Sequence, residues 1–123
     1  MNIKKLSVIG ILAFLSLNVS YASKSANVCI VSAKFAQIAM AGRQEGASRK
    51  EIQKEMDRIL KIVKQSGLSK EEIGFLIEMA PVYPLDVSQV KIGKTKKEKR
   101  KIVADYMKLR EKDCNTALKE MSK

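Results

Sequence analysis

Residues 27–46, NVCIVSAKFAQIAMAGRQEG, decide how the rest of the chain is read. Cys29, Ala33, Ala36 and Met40 fall on one helical face. Ile30, Val31, Phe35, Ile38 and Ala39 spread around most of the remainder, and only Ser32, Lys34 and Gln37 interrupt. A helix that is apolar nearly all round is a buried one. Ala33 and Ala36 are small enough to admit a close partner helix. The segment therefore predicts a central helix over about 27–44, closed by the polar cluster Arg43-Gln44-Glu45 before Gly46.

That helix carries one of only two cysteines, and what the pair does depends on where the protein resides. The chain opens with Lys4 and Lys5, followed by a largely apolar run of 14 residues from Leu6 to Val19, then Ser20-Tyr21-Ala22. A basic start, a short apolar run and small residues at a cleavage position read as a signal peptide, and the run is shorter than the ~20 residues of a membrane span. No cysteine directly follows the small residues, so a lipoprotein is not expected. The expectation is cleavage after Ala22 and a single mature domain over 23–123, periplasmic or secreted. In an exported chain two cysteines read as a disulfide, and only Cys29–Cys114 can form. No Cys-x-x-Cys and no cysteine–histidine zinc spacing competes with it.

Outward from the central helix, three start signals recur. Ser48-x-x-Glu51, Ser69-x-x-Glu72 and Thr95-x-x-Glu98 each match a capping box, in which a hydroxyl and a carboxylate satisfy amides three residues apart. After Ser48, Ile52, Met56, Ile59, Leu60 and Val63 form an apolar stripe, ending at Ser66-Gly67. After Ser69, Ile73, Leu76, Ile77 and Ala80 form a second, flanked by Phe75 and Met79, with Pro81 as its stop and Tyr83-Pro84 as a turn. In residues 85–94 the alternation at Leu85, Val87 and the Val90/Ile92 pair is compatible with a short extended piece, but the segment reads as a connecting loop with about one turn of helix. From Thr95 a long helix carries an apolar arc of Ile102, Val103, Tyr106, Met107, Leu109, Cys114, Ala117, Leu118 and Met121. The predicted fold is all-α: a single four-helix bundle-like domain with helices at about 27–44, 49–65, 70–80 and 96–121.

The residue inventory argues against catalysis. There is no histidine, the commonest general base and metal ligand. There is no glycine-rich phosphate loop and no nucleophile elbow. The acids stand beside basic residues at helical spacing, as in Glu51/Glu55/Arg58 and Asp105/Lys108, which reads as surface ion pairing. No cofactor or metal site is expected.

The charge balance is the more informative feature. The chain holds 24 Lys and Arg against 13 Asp and Glu, a net charge of +11, or +9 once Lys4 and Lys5 are removed. Residues 91–101, KIGKTKKEKRK, concentrate seven cations, Lys91, Lys94, Lys96, Lys97, Lys99, Arg100 and Lys101, against one acid. Such a segment is either a solvated helix start or a contact for an anionic surface. It lacks interleaved aromatics, so base stacking on nucleic acid is not expected. Two further cations stand out. Arg110 falls within the apolar arc of the last helix, where it either snorkels, pairs with a carboxylate of another helix, anchors an anionic partner or makes a dimer contact. Arg43 serves the last carbonyls of the first helix or shares a pocket with Arg110.

The order Cys29, Ile38-Ala39, Arg43-x-x-Gly46-x-Ser48-x-x-Glu51, Tyr83-Pro84, Tyr106 and Cys114 resembles a recurring type of small exported bacterial helical protein over nearly the whole mature chain. Tyr106 and Cys114 are set further apart here than in that type. In design the chain is also similar to the periplasmic immunity proteins that neutralise type VI secretion amidase effectors, which are small, helical, disulfide-bonded and often dimeric. Its size and cysteine pair resemble those of small periplasmic acid-stress chaperones. No residue motif carries either likeness, so no functional residues transfer. The resulting expectation is a non-enzymatic protein-interaction module of immunity or inhibitor type. The alternatives are an envelope-surface or polyanion binder acting through residues 91–101, and a stress-related chaperone. A protein partner is expected, with a homodimer as a further alternative.

Overall fold

A computed structural model describes residues 24–121 of the chain; the expected signal peptide, 1–22, lies outside the described residues. The described part is helical throughout, with five helices: α1 (Lys24–Gln44), α2 (Arg49–Val63), α3 (Lys70–Met79), α4 (Val82–Ser88) and α5 (Lys96–Met121). None is long and apolar enough to cross a membrane.

The central position of α1 follows from its composition. Val28, Cys29, Val31, Ala33, Phe35, Ala36, Ile38, Ala39 and Met40 are all buried and cover well over half of the helix circumference, while Ile30, Lys34, Gln37 and Ala41 on the remaining strip are half-buried. All four other helices pack against it. The closest pairing is with α5, and its register is set at both ends. Cys29 is bonded to Cys114 with Cα atoms 5.4 Å apart, as expected. At the other end, Gln44 meets Gly93 just before α5 begins. The two helices therefore run antiparallel. The bridge joins residues 85 apart, and on the chain-entropy account a loop of that length contributes about 4–5 kcal/mol.

Two start signals hold in full. Ser48 Oγ accepts from the Glu51 amide while Glu51 accepts from the Ser48 amide, and Ser69 and Glu72 do the same. The third is modified: Thr95 Oγ1 accepts from the Glu98 amide, but Glu98 reaches back one residue further, to the Lys94 amide at 2.9 Å. The expected stop at Ser66-Gly67 is present, with Gly67 at φ +85°, a conformation that favours glycine.

Three expectations are corrected. Residues 82–88 are a helix, not a loop with a Tyr-Pro turn. Pro84 sits in the first turn of α4, where a missing N–H costs nothing. Tyr83 and Val87, four residues apart, then face the core and are fully buried, while Leu85 is 43% exposed. Of the expected stripe Ile73, Leu76, Ile77 and Ala80, Leu76 and Ala80 are buried and Ile73 is half-buried. Ile77 is 45% exposed, while the flanking Phe75 and Met79 pack on the core. In α5 Leu109 is 48% exposed, so the buried arc is narrower than expected and centres on Tyr106 and Cys114.

Candidate functional site

The basic segment begins in the connector between α4 and α5, and the C-terminal turn of α1 positions it. Arg43 Nε donates to the Val90 carbonyl at 2.9 Å. Gln44, only 2% exposed, donates through Nε2 to the Lys91 carbonyl at 3.1 Å and accepts the Gly93 amide at 2.7 Å. A primary amide is suited to this, because it offers a donor and an acceptor on one rigid group. Gly93 is buried against the start of α5. A Cβ there would stand 3.0 Å from Glu98 Cβ and from the Lys99 backbone nitrogen, so a larger residue would push the start of α5 away by a few tenths of an ångström.

Held in this way, the segment presents Lys91, Lys94, Lys96, Lys97, Arg100 and Lys101 exposed and Lys99 half-buried. Among the described residues only Lys101 forms an ion pair, with Asp105 at 2.7 Å. Asp105 thus pairs with Lys101 rather than with the expected Lys108. The expected Glu55–Arg58 pair is present at 2.8 Å.

Lys96, Lys99 and Arg100 also edge an open groove of about 490 Å³ between the C-terminal half of α1 and the first three turns of α5. Its floor is Ala41, Val103, Ala104 and Met107.

A second polar cluster lies where α1, α4 and α5 meet. Tyr106 donates its hydroxyl to Asp86 Oδ2 at 2.9 Å. Arg110 stands over the Tyr106 ring, 5.7 Å from its centroid, and pairs with Asp86 at 3.5 Å and Asp113 at 3.4 Å. Of the fates open to Arg110, the structure shows the ion pair with a carboxylate of another helix. Arg43 and Arg110 have different partners and do not share one pocket. Beneath this cluster, Tyr83 and Ser32 are buried and hydrogen-bonded to each other, and Tyr83 packs on Phe35 as a tilted ring pair 6.1 Å apart. Burial pushes the Tyr83 phenol up, partly offset by its bond to Ser32. Burial pushes the Tyr106 phenol up further, and the Asp86 carboxylate adds to it both by accepting the hydrogen bond and by its charge. Both hydroxyls are consequently poor proton donors at neutral pH.

A cleft of about 190 Å³ beside Arg110, Asp113 and Cys114 reaches Ser32, Phe75 and Met79. Its one cation already faces two carboxylates. Among the described residues no group of three or more His, Cys, Asp or Glu side chains is placed to hold a metal ion.

Sequence reasoning missed Gln44, Gly93, Ser32 and Tyr83. Gln44 was readable only as one polar residue of a charged helix end. Ser32 was readable only as an interruption of an apolar face. Both acquire meaning through partners about fifty positions away.

No protein-family model, no curated protein and no solved structure matches this chain.

Proposed function

We propose that the chain is an exported, non-enzymatic interaction module that meets an acidic surface on a partner protein through residues 91–101. One observation carries the reading: seven cations are gathered on eleven residues, six of them without an ion-pair partner among the described residues, on the first turns of α5 and on the connector before it, which the core helix holds in place. A charge cluster anchored on a buried glutamine is pre-organised, which lowers the ordering cost of binding. The likeness in design to immunity proteins supports a protein as the partner. The absence of histidine and the engagement of Arg110 with its own carboxylates support a binding role rather than a chemical one.

An anionic envelope surface is the second reading, favoured by the excess of seven cations over one acid in the segment. Capture of a protein from periplasmic extract, set beside binding to vesicles of anionic phospholipid, tests the two. A captured protein without vesicle binding supports the first reading, and vesicle binding without a captured protein supports the second; raised salt weakens both, because exposed charges are screened. Capture that ignores reversal of the basic side chains removes both readings.

A further inference from the structure

The groove between α1 and α5 has a chemistry of its own. Its floor of Ala41, Val103, Ala104 and Met107 is apolar and open to solvent along the α5 side, where Ala104 is exposed and Val103 and Met107 are half-buried. Three cations, Lys96, Lys99 and Arg100, edge it, against one carboxylate, Glu45. None of the three has an ion-pair partner among the described residues. The α1 wall runs from Gln37 to Glu45, about 12 Å at ~1.5 Å per residue. Small-molecule sites typically enclose about 300–1,000 Å³, mostly apolar with a few convergent polar groups. This groove, at about 490 Å³, matches that description.

We propose that the groove binds a free single-chain amphiphile with an anionic head, of the fatty-carboxylate class. The alkyl chain lies on the alanine and methionine floor, and the head group meets Lys96, Lys99 and Arg100. The charge excess selects this occupant. A second copy of the chain would bring like charges to the same rim, and a neutral alkyl chain would leave the cations unanswered. A protein helix has only about two turns of wall to lie against, little support for a helix that must order on binding. The small side chains at Ala41 and Ala104 give the alkyl chain its room.

The test is titration of the disulfide-bonded protein with sodium laurate below its micellar concentration, followed by amide chemical shifts and calorimetry. Saturable one-to-one binding is expected, with shifts at Ala41, Ala104 and Met107, and weaker binding of dodecanol. Replacing Lys96, Lys99 and Arg100 with Gln weakens laurate by about tenfold or more, as loss of three solvent-exposed ion pairs implies. Ala104→Trp fills the groove from an exposed position and abolishes binding, while Ala104→Glu, smaller than Trp, does so by setting a carboxylate on the floor one turn from Arg100. Laurate binding that is non-saturable, or unchanged in both Ala104 variants, overturns the proposal. So does exclusive binding to anionic phospholipid vesicles, or concentration-dependent shifts of the same residues without ligand, which would identify a second copy as the occupant. Both Ala104 variants keep every cation of residues 91–101. Loss of laurate with partner capture intact therefore supports the groove site apart from the partner reading, and the reverse pattern overturns the groove site alone.

Discussion

Gln44 Oε1 accepts the Gly93 amide at 2.7 Å, and the same side chain donates to the Lys91 carbonyl. The last turn of the core helix thereby fixes the backbone from which the basic segment projects. Stability of the fold and presentation of the charge are coupled through this one side chain.

Replacing Gln44 with Ala leaves the Gly93 amide and the Lys91 carbonyl without their partner. Stability is expected to fall by about 1–3 kcal/mol, as for other buried polar groups left unpaired. Exchange of the Gly93 amide with solvent accelerates beyond what the global loss accounts for. Gln44→Glu keeps the acceptor for Gly93 but turns an oxygen toward the Lys91 carbonyl, so it recovers only part of the loss. Denaturation midpoints together with amide exchange check this, and an unchanged Gly93 exchange rate in Gln44→Ala contradicts it.

The buried Ser32–Tyr83 hydrogen bond predicts an asymmetric pair of single mutants. Ser32→Ala strands the hydroxyl of the fully buried Tyr83, costing about 1–3 kcal/mol. Tyr83→Phe strands Ser32, which can turn to a carbonyl of its own helix, and costs less. In the double mutant neither hydroxyl is stranded, so its loss is smaller than the sum of the two singles. Strict additivity in urea denaturation would show that the contact is energetically idle.

Alkaline pH probes the tyrosines. Folding raises the pKa of Tyr83 and Tyr106, chiefly by burial. A raised folded value means that the unfolded state releases its protons first, near pH ~10. Below that pH the stabilisation is fully present; above it stability falls with rising pH. Urea midpoints measured from pH 8 to 11 are expected to drop more steeply for the wild type than for Tyr106→Phe, which starts lower for want of its bond to Asp86. Parallel curves would mean that Tyr106 ionises as readily in the fold as outside it.

The helical class, the four longer helices and the disulfide were legible because each rests on short-range pattern or simple counting. Two capping boxes, the all-round apolar face of α1 and the lone cysteine pair need no knowledge of the tertiary structure. The helix over 82–88 was not legible, because Tyr-Pro favours a turn until Pro84 is known to occupy a first helical turn. Ile77 and Leu109 are apolar residues at helical spacing that remain exposed, and sequence offers no sign that α3 and α5 are covered on one side only. Of the candidate site, the seven cations could be read directly, whereas the anchor beneath them could not. Gln44 and Gly93 are 49 positions apart, and a lone glutamine at a helix end carries no local signal of a distant backbone partner.

The central claim is that residues 91–101 form the contact face. Its most direct test is the affinity of the captured partner for the wild type and for a variant with Lys96, Lys97, Arg100 and Lys101 changed to Glu, measured at matched salt. All but Lys101 lack an ion-pair partner among the described residues, so their reversal is expected to leave the melting temperature nearly unchanged. The account predicts that the variant binds the partner weaker by about tenfold or more. A folded variant that binds with wild-type affinity contradicts it.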